Sequence, residues 1–442
     1  MKTKYYTIVA LLATTLSGIL PVMGQKVGPV TDTVVMGPGY ANEIYYSMAE
    51  GNKGTISRKQ WDIAFRASRM SASILTNDAA NNSSLGINGV ELYTYPKSDS
   101  SGWSTVDTSG LFGWKNMVNS TTDWETGAFD QNQLGHPDYG WGKYNSVTHD
   151  VMGDSLYIIK LRDGSLRKLF IRRKFSSLNM VEFRYANIDG THDTTVTVDC
   201  NPYSSPNAQK NFVGYSITTN QVVDFEPVAF DQWDILFTKY MYTYPEGPNF
   251  GAIYPVTGVL SNYNTKVNKF DDVDPDFMMW DTETMDSTRS PIGWEWKVLN
   301  NSTFTFEIVE RQVYFIQDIA GNIHKLVFKD FAGSSTGRIV FEKEMISAAA
   351  VGDNGKSDFN VAVHPNPVSD VMNLTINPGA AKSVIVSVHD MSGRLVSESR
   401  HELQANALST LRIPVSEIPA GVYIVRMQVG KDTLSRKVII NK

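Results

Sequence analysis

The sequence contains almost no cysteine: Cys200 is the one thiol in 442 residues. A single thiol cannot build a disulfide framework or a cysteine-rich metal site. Positive charge is not in excess either, since the formal net charge is −6. We therefore expect neither nucleic acid nor an anionic membrane surface as a partner, because both are recognised by clustered Lys and Arg.

Long apolar runs are scarce apart from one at the N-terminus. The opening "MKTKYYTIVALLATTLSGILPVMGQ" combines Lys2 and Lys4, an apolar stretch and a small-residue cleavage site. This pattern is typical of a secretory signal peptide over residues 1–24. No cysteine stands at the cut, so we expect no lipid anchor there, and no other stretch predicts a transmembrane span. The mature protein is expected outside the cytoplasm, soluble or attached to the cell surface.

Helical periodicity is also scarce after the signal peptide. Short runs such as "SLYIIKL", "KLFIRRKF", "TVTVDC" and "HKLVFKDF" are rich in Val, Ile, Phe and Tyr, and turn residues separate them. This pattern predicts an all-β protein.

The body of the chain contains an internal repeat. "QWDIAF" recurs as "QWDILF", and "SLYIIKLRDGSLRKLFI" aligns without a gap with "QVYFIQDIAGNIHKLVF". Gly164 and Gly321 fall where two strands join, which predicts a hairpin in each copy whose turn needs positive φ. We interpret the body as two related β modules over 25–205 and 206–347.

A different unit follows the repeat. The stretch "SAAAVGDNGKSDFN" is small, polar and glycine-containing, and it predicts a linker at 348–360. Beyond it, five strand-like runs occupy 361–442, and Tyr423, Val425, Met427 and Val429 share one face at period two. The predicted architecture is thus two tandem β modules plus a small C-terminal β-sandwich.

The C-terminal unit resembles a known family. "PNPVSDVMNLTI", "VHDMSGRLV", "IPAGVYIVRM" and "SRKVIINK", in this order, are similar to the type A sorting domain of the type IX secretion system of Bacteroidetes-type bacteria. The resemblance implies that this domain directs the protein across the outer membrane. It also implies the secretion machinery and a sortase as partners, with the domain cleaved and the cargo released or attached to the cell surface.

The two body modules resemble the HmuY family. The first copy offers "YYSM", "QWDIAF" and "VEFRYANIDG", and the second offers "GYSI", "QWDILF" and "GRIVFEKE". The resemblance implies an all-β fold that captures haem outside the cell and passes it to an outer-membrane receptor. The doubled body, the absent lipid anchor and the sorting domain depart from the family's usual single, lipid-anchored module.

Haem iron takes axial ligands such as His and Met. The candidates are His136 in "QLGHPDYGWG", His149 in "THDVMGDSLY", and the pair Met278 and Met279 in "DFMMWD". The alternative for each is structural: the gapless repeat alignment places Phe306 opposite His149, which favours a packing position, and the methionines beside a tryptophan favour core filling.

Tryptophans offer a second kind of candidate. Trp61 and Trp233 occupy matched repeat positions and are predicted core anchors. Four others lie in a loop-like region among Gly, Asn, Ser and Asp, where they either pack structurally or stack a flat ligand such as a porphyrin or a sugar ring: Trp103, Trp114, Trp124 and Trp141.

Two patterns resemble other sites without fitting them. The acidic run "DDVDPDFMMWDTE" has EF-hand spacing, but Phe277 stands where that loop needs Gly, so an exposed acidic loop is the favoured interpretation. The tetrapeptide "GDSL" at Ser155 raises the hypothesis of a serine hydrolase in which Asp189 and His192 assist the serine. Ser155 begins a predicted strand, however, rather than joining a strand to a helix.

The sequence therefore predicts a secreted or surface-displayed, non-enzymatic, all-β protein that binds a ligand, with haem as the specific hypothesis. The alternative is a structural or adhesive surface protein that binds a glycan or protein partner and holds no cofactor. A hydrolase using Ser155 is the third and weakest hypothesis. No metal site is predicted.

Overall fold

The computed structural model of the chain describes residues 29–78, 89–205, 209–278, 280–281, 283–347, 360–377, 383–390, 394–404, 409–430 and 432–442. The predicted signal peptide, Met279 and all but the last residue of the predicted linker lie outside these residues.

The described residues form an all-β structure, as predicted. The strands are β1 (Val30–Val35), β2 (Asn42–Ser47), β3 (Gly51–Ser57), β4 (Ile63–Arg66), β5 (Ile74–Thr76), β6 (Glu91–Thr94), β7 (Asn116–Met117), β8 (Gly142–Tyr144), β9 (Val151–Gly153), β10 (Leu156–Lys160), β11 (Leu166–Phe175), β12 (Met180–Asn187), β13 (Thr194–Asp199), β14 (Phe212–Ser216), β15 (Gln221–Val223), β16 (Ile235–Thr243), β17 (Ile253–Ser261), β18 (Lys266–Phe270), β19 (Lys297–Asn300), β20 (Thr305–Ile308), β21 (Val313–Gln317), β22 (Ile323–Phe331), β23 (Arg338–Ser347), β24 (Asn360–His364), β25 (Val371–Asn377), β26 (Ser383–Asp390), β27 (Leu395–Glu402), β28 (Ser409–Pro414), β29 (Gly421–Val429) and β30 (Asp432–Ile440).

Helical structure among the described residues is limited to short 3-10 turns. They are Pro38–Tyr40, Ser100–Thr105, Leu111–Gly113, Ala128–Asp130, Asn201–Tyr203, Phe230–Gln232 and Gly333–Ser335. No helix among these residues is long and apolar enough to cross a membrane.

The chain divides into two compact units, Met1–Ala349 and Ala350–Lys442. In the first unit, hereafter the body, the described strands form antiparallel sheets. Their orders are β1-β23-β22-β21-β18, β13-β12-β11-β10-β6-β7 (with β9 on β11 and β8 on β9), β15-β14-β4-β5, β17-β16-β2-β3 and β19-β20.

The second unit consists of the sheets β24-β25-β28 and β27-β26-β29-β30. One apolar core contains residues from both sheets, including Met372 and Leu374 from the first and Val386 from the second. Tyr423, Val425, Met427 and Val429 are all buried in it, as the period-two pattern predicts. This arrangement is a small β-sandwich with a core of its own.

The predicted hairpins are confirmed in both copies of the repeat. β10 pairs with β11 and β21 pairs with β22 in matching register, with Leu169 opposite Tyr157 and Leu326 opposite Tyr314. Gly164 has φ +81°. Gly321, with φ +90°, also has the left-handed backbone that a tight turn needs and that Gly adopts without strain.

Equivalent strands of the two copies are exchanged within the body. β2, which carries "YYS", pairs not with the nearby "QWDIAF" strand but with β16 of the second copy, so that Tyr46 lies opposite Ile235. Conversely β14, which carries "GYS", pairs with β4 of the first copy, with Tyr215 opposite Ile63. The division into modules at 205/206 stays a prediction, and these pairings cross that boundary.

Two equivalent buried aspartates hold the exchanged strands in place. Asp62 Oδ2 accepts a hydrogen bond of 2.8 Å from the Ile217 amide just after β14, and its other oxygen lies 2.8 Å from Arg162 in the first hairpin turn. Asp234 accepts hydrogen bonds from the amides of Met48, just after β2, and Ile319, in the second hairpin turn, at 2.7 and 3.0 Å. Each aspartate thus joins an exchanged strand to a hairpin.

We expect Asp62→Ala to lower the free energy of unfolding of the body by about 3–5 kcal/mol, because it leaves the half-buried Arg162 guanidinium without its carboxylate partner and the Ile217 amide without its acceptor. The matched control is Asp231→Ala at an exposed position, expected to change stability by less than about 0.5 kcal/mol. Urea unfolding followed by tryptophan fluorescence measures both. Equal midpoints for the two variants would contradict the anchoring role of Asp62.

The body has two large apolar cores. One gathers buried residues from Ile63 to Ile217, and the other combines Val34 to Met48 with Ile235 to Phe341. A third cluster contains residues from both copies, including Trp61, Trp233 and Trp124. Trp61 and Trp233 are buried, as expected for core anchors.

Candidate ligand-binding cleft

A cleft of about 1060 Å³ opens in the second half of the body. We call it the aromatic cleft, because six of its lining side chains are aromatic: Tyr40, Tyr254, Trp294, Phe304, Phe306 and Phe331. Its volume is at the upper end of the range of small-molecule sites in proteins, which are commonly apolar and aromatic with a few polar groups.

The floor of the aromatic cleft is built from stacked rings. Tyr40 lies parallel to Phe331 with centroids 5.9 Å apart, and Phe306 meets Phe331 edge-on at 4.9 Å. Both Tyr40 and Phe331 are buried. Tight packing of this kind holds the rings of the floor in a fixed arrangement.

The rim carries exposed apolar side chains from the β19–β20 hairpin. Phe304, at its turn, is 80% exposed, and Val298 and Leu299 on β19 are 59% and 42% exposed. Tyr254 on β17 is 58% exposed and also lines the cleft. Contiguous exposed apolar groups beside a cavity are typical of a binding surface.

One ammonium group lines this apolar cleft from a buried position. Lys297 is 5% exposed. Its Nζ donates to the carbonyl oxygens of Thr257 at 2.5 Å and Trp294 at 3.1 Å. It also lies 4.0 Å from the Trp296 ring centroid. No carboxylate lies within ion-pair distance of Lys297 among the described residues, so its charge is balanced only by carbonyl dipoles and aromatic faces.

Burial controls the charge of the cleft. It lowers the pKa of Lys297 to about 7, because the charged form loses its hydration. Lys239, at the inner side of the cleft, has its pKa lowered to about 8, chiefly by burial and secondly by Arg58. Burial raises the pKa of Tyr40 to about 12, so its hydroxyl stays neutral at ordinary pH.

The first half of the body differs at the position that matches Lys297. By strand register, Gly142 on β8 matches Lys297 on β19. The indole Nε1 of Trp141 donates to the Ala72 carbonyl at 3.1 Å there. Two lysines on β11, Lys168 and Lys174, are buried in this half, and the Nζ of Lys174, which lies near Trp141, donates to Asn179 Oδ1 at 2.8 Å. The cavity beside Lys174 and Trp141 has no room for a water molecule.

We expect Lys297→Met to remove a pH dependence of stability. The folded-state pKa of about 7 lies below the ordinary value of 10.5. The unfolded chain therefore binds more protons between these values, and the free energy of unfolding rises with pH across that window. The Met variant should be more stable than the parent at pH 6, by an amount that shrinks towards pH 10.

Urea unfolding at pH 6, 8 and 10 measures this difference. Lys266→Met is the control, since Lys266 is an exposed lysine of the same half and its replacement should leave the slope unchanged. Parallel pH profiles for the parent and Lys297→Met would show that Lys297 titrates normally.

A second cavity lies between the two copies, but it is small, at about 60 Å³. Buried charged side chains line it: Glu43, Arg58, Asp78, Glu226 and Arg289. Burial raises the pKa of Asp78 to about 6 and that of Glu226 to about 8. The volume suits a few water molecules that solvate these groups rather than an organic ligand.

The structure brings two of the predicted haem ligands near each other. His136 and His149 are both exposed, and both lie against Tyr144, with ring centroids 5.0 and 6.1 Å from it. The Tyr144 hydroxyl and His149 Nδ1 are 2.6 Å apart. Neither histidine lines the aromatic cleft.

The repeat partner of His149 differs from the one the gapless alignment gives. His149 has φ +60° and its amide bonds to the Asn145 carbonyl; Phe304 has φ +56° and its amide bonds to the Asn300 carbonyl. Phe304, not Phe306, therefore occupies the equivalent turn, because the second copy holds two more residues between β20 and β21 than the first copy holds between β9 and β10. Both side chains are exposed, so this is not a packing position.

The methionine candidates lie elsewhere. Met278 is half-buried, with its sulfur 3.7 Å from Lys325 Nζ, and its neighbour Phe277 packs on Phe270 and Phe315. Met279 lies outside the described residues. Among the described residues, Met278 therefore makes no contact with His136 or His149.

The four candidate stacking tryptophans separate into two pairs. Trp141 and Trp124 are buried, and the Trp124 Nε1 donates to the Ser261 carbonyl at 2.8 Å. Trp103 and Trp114 are half-buried. Arg184 lies 4.5 Å from the Trp103 ring centroid, so that face is already covered.

The remaining motifs gather no catalytic or metal-binding group among the described residues. The Ser155 hydroxyl donates to the Gly140 carbonyl and to Asp154, while Asp189 accepts from Thr191 in a separate turn. In the acidic run, Asp274 pairs with Arg311. No group of three or more His, Cys, Asp or Glu that could hold a metal occurs among the described residues.

Sequence reasoning missed Lys297 and the aromatic cleft. One signal was available: Trp141 in "GWGK" and Trp296 in "EWKV" are equivalent by strand register, which sets Lys297 opposite Gly142. The exchange of a small residue for a lysine at a matched position marks a difference between the copies. Its burial, however, depends on packing that the sequence pattern does not reveal.

The comparisons with known proteins bear on the C-terminal unit. Residues 362–441 match the family described as "Secretion system C-terminal sorting domain". This unit is a type IX sorting domain. The sequence resemblance is therefore confirmed for the C-terminal unit, and the protein is an exported one, handled by the type IX secretion machinery and destined for the cell surface or the extracellular space.

The comparisons say little about the body. The search of curated proteins returned no match. Among solved structures, a crystal structure of dimeric latent PorU from Porphyromonas gingivalis aligns with 79% of this chain at 12% identity and a TM-score of 0.17. This chain spans 34% of that protein, and a likeness this weak carries no argument. No comparison supports the HmuY resemblance, which stays a prediction.

Proposed function

We propose that the body is a non-catalytic, ligand-binding cargo that the sorting domain delivers to the cell exterior. The observation that carries this proposal is the aromatic cleft: about 1060 Å³, with a floor of packed rings and an exposed apolar rim. Ser155 hydrogen-bonds to Gly140 and Asp154 rather than to a histidine, which supports a binding role over a hydrolytic one.

A neutral apolar fluorophore tests the proposal. N-phenyl-1-naphthylamine, which brightens in apolar surroundings, should bind the full chain saturably. Phe304→Ser should weaken this binding several-fold, because it removes an exposed ring from the rim. The matched control is Phe250→Ser, since Phe250 is 76% exposed but does not line the cleft. Absence of saturable binding by the parent would refute the proposal.

Haem binding is a separate form of ligand binding, because its candidate histidines do not line the aromatic cleft. His136 and His149 flank one tyrosine on exposed loops, and a pair of imidazoles is a common axial ligand set. Haemin titration of the full chain should then give a saturable shift of the Soret band that His136→Ala with His149→Ala abolishes. A shift that survives this double substitution, or the absence of any shift, would reject these ligands.

A protein or glycan partner is the alternative. The exposed side chains of Val298, Leu299 and Phe304 on the β19–β20 hairpin favour it, because exposed apolar groups also mark docking surfaces. The two functions differ in one respect. A small-molecule site should be blocked competitively by a second small ligand, whereas a docking surface should show no saturable binding of the fluorophore.

A further inference from the structure

We propose that the aromatic cleft is selective for small aromatic acids, with the acidic group accepting a hydrogen bond from the Lys297 ammonium. This inference rests on the proposed function and names the class of ligand. The observation that carries it is the position of Lys297: its buried ammonium lines an aromatic cavity and has no carboxylate partner among the described residues.

The apolar part of the ligand is indicated by the lining. The rings of Tyr40, Phe331 and Phe306 form a continuous floor, and Trp294 and Phe304 stand at the sides. Aromatic side chains interact favourably with a flat aromatic ligand by offset stacking and edge-to-face contacts. An aromatic ring system therefore matches the floor better than a polar sugar or a flexible peptide.

The acidic part is indicated by Lys297. An ammonium has three N–H donors, and two carbonyls accept two of them at 2.5 and 3.1 Å. The remaining donor and the positive charge have no carboxylate partner among the described residues. A hydrogen bond between two ionised groups is about twice as strong as a neutral one, particularly where water is excluded.

The comparison between the copies shows that the fold does not require this lysine. Gly142 occupies its position in the first half, where a Cβ would meet the Met152 carbonyl oxygen at 2.4 Å. That half has two buried lysines among its described residues: Lys168 donates to the Trp103 carbonyl, and Lys174 donates to Asn179 beside a cavity with no room for a water molecule. The second half therefore combines an open cleft with Lys297, which has no side-chain hydrogen-bond acceptor such as the one that Asn179 gives Lys174.

The Trp296 indole gives a second sign of this difference. In the first half the Trp141 Nε1 uses the Ala72 carbonyl, whereas in the second half the equivalent Thr257 carbonyl accepts from Lys297. The Trp296 Nε1 is buried with no hydrogen-bond partner among the described residues. Retaining a lysine here at the expense of a buried indole donor favours a binding role for it.

Other ionisable groups face the cleft and affect the pH dependence. Lys239 lies at its inner side, Glu295 is the one carboxylate of its lining, and Tyr40 and Tyr254 supply hydroxyls. Because burial lowers the pKa of Lys297 to about 7 and of Lys239 to about 8, the cleft carries most positive charge below pH 7. Selectivity for anions should therefore be greatest at about pH 6 and decline towards pH 9.

Two probes with the same ring system test the inference. They are 1-anilinonaphthalene-8-sulfonate and N-phenyl-1-naphthylamine, which differ by the sulfonate alone. The full chain at pH 6 should bind the sulfonate probe about ten-fold more tightly than the neutral one, and Lys297→Met should remove most of this ratio while leaving neutral-probe affinity within about three-fold. Lys266→Met should retain the ratio, and Lys239→Met should reduce it less than Lys297→Met does.

The outcomes separate the two proposals. If neither probe binds saturably, the proposed function and this inference both fail. If both bind but the ratio is unchanged in Lys297→Met, the aromatic cleft is a binding site and the role of Lys297 is refuted. If near-UV circular dichroism shows that Lys297→Met is misfolded, the parent protein is measured instead between pH 6 and 9. A ratio of sulfonate-probe to neutral-probe affinity that does not change with pH refutes the inference, and a ratio that declines supports it.

Discussion

Deletion of residues 361–442 is expected to leave the protein in the periplasm. The deleted segment is a compact unit with its own apolar core, and it matches the sorting-domain family over residues 362–441. The body keeps all its cores when this unit is removed, because none of their residues belongs to it. The expected effect is therefore loss of export, with the body folded.

Cell fractionation and protease accessibility on intact cells measure this effect. A sharper version uses two substitutions on β29. Val425→Asp with Met427→Asp places charges in the sandwich core and should block export as the deletion does. Arg426→Ala, an exposed position between them, should leave export unchanged. Normal surface display of the deletion variant would show that the signal lies elsewhere.

We expect that a fragment covering residues 25–205 does not fold cooperatively, whereas a fragment covering 58–223 does. The first fragment lacks β14 and β15, so β4 loses its partner and the first core loses Val213, Tyr215 and Ile217. It also carries β2 without β16. The second fragment contains all of the buried residues in that core, which run from Ile63 to Ile217.

Urea unfolding and amide-proton dispersion in NMR distinguish the fragments. Co-expression of 25–205 with 206–347 should restore a folded body, because each piece supplies the strand that the other lacks. The full body, 25–347, is the positive control. If 25–205 unfolds cooperatively on its own, the exchanged pairing does not determine the folding unit.

The haem hypothesis and the aromatic cleft lead to different sites, and this difference is informative. Family resemblance directs attention to His136 and His149, which are exposed on loops. The packing of side chains directs attention to Lys297, which no motif marks. A test of either site by substitution leaves the other intact, so the two hypotheses are decided independently.

Much of the fold is predictable because it depends on local patterns. Alternating apolar residues predict the buried face of β29, and Gly164 and Gly321 predict the two hairpin turns. The strand exchange is different. The segments "YSM" and "YSI" carry the same pattern, so either fits beside either "QWD" strand in the same register. Local sequence therefore cannot choose between the two pairings.

The sequence by itself predicted an exported β protein with a C-terminal sorting domain and an internal repeat in its body, since composition, turn residues and the order of four short segments are read without knowing any long-range contact. Tertiary structure alone decided which copy each strand joins and which copy keeps an open cleft. The reason is physical: pairing choice and burial depend on contacts between residues distant in the chain, such as Met48 with Asp234 and Lys297 with Thr257. Those contacts, rather than any motif, create the site proposed for the ligand.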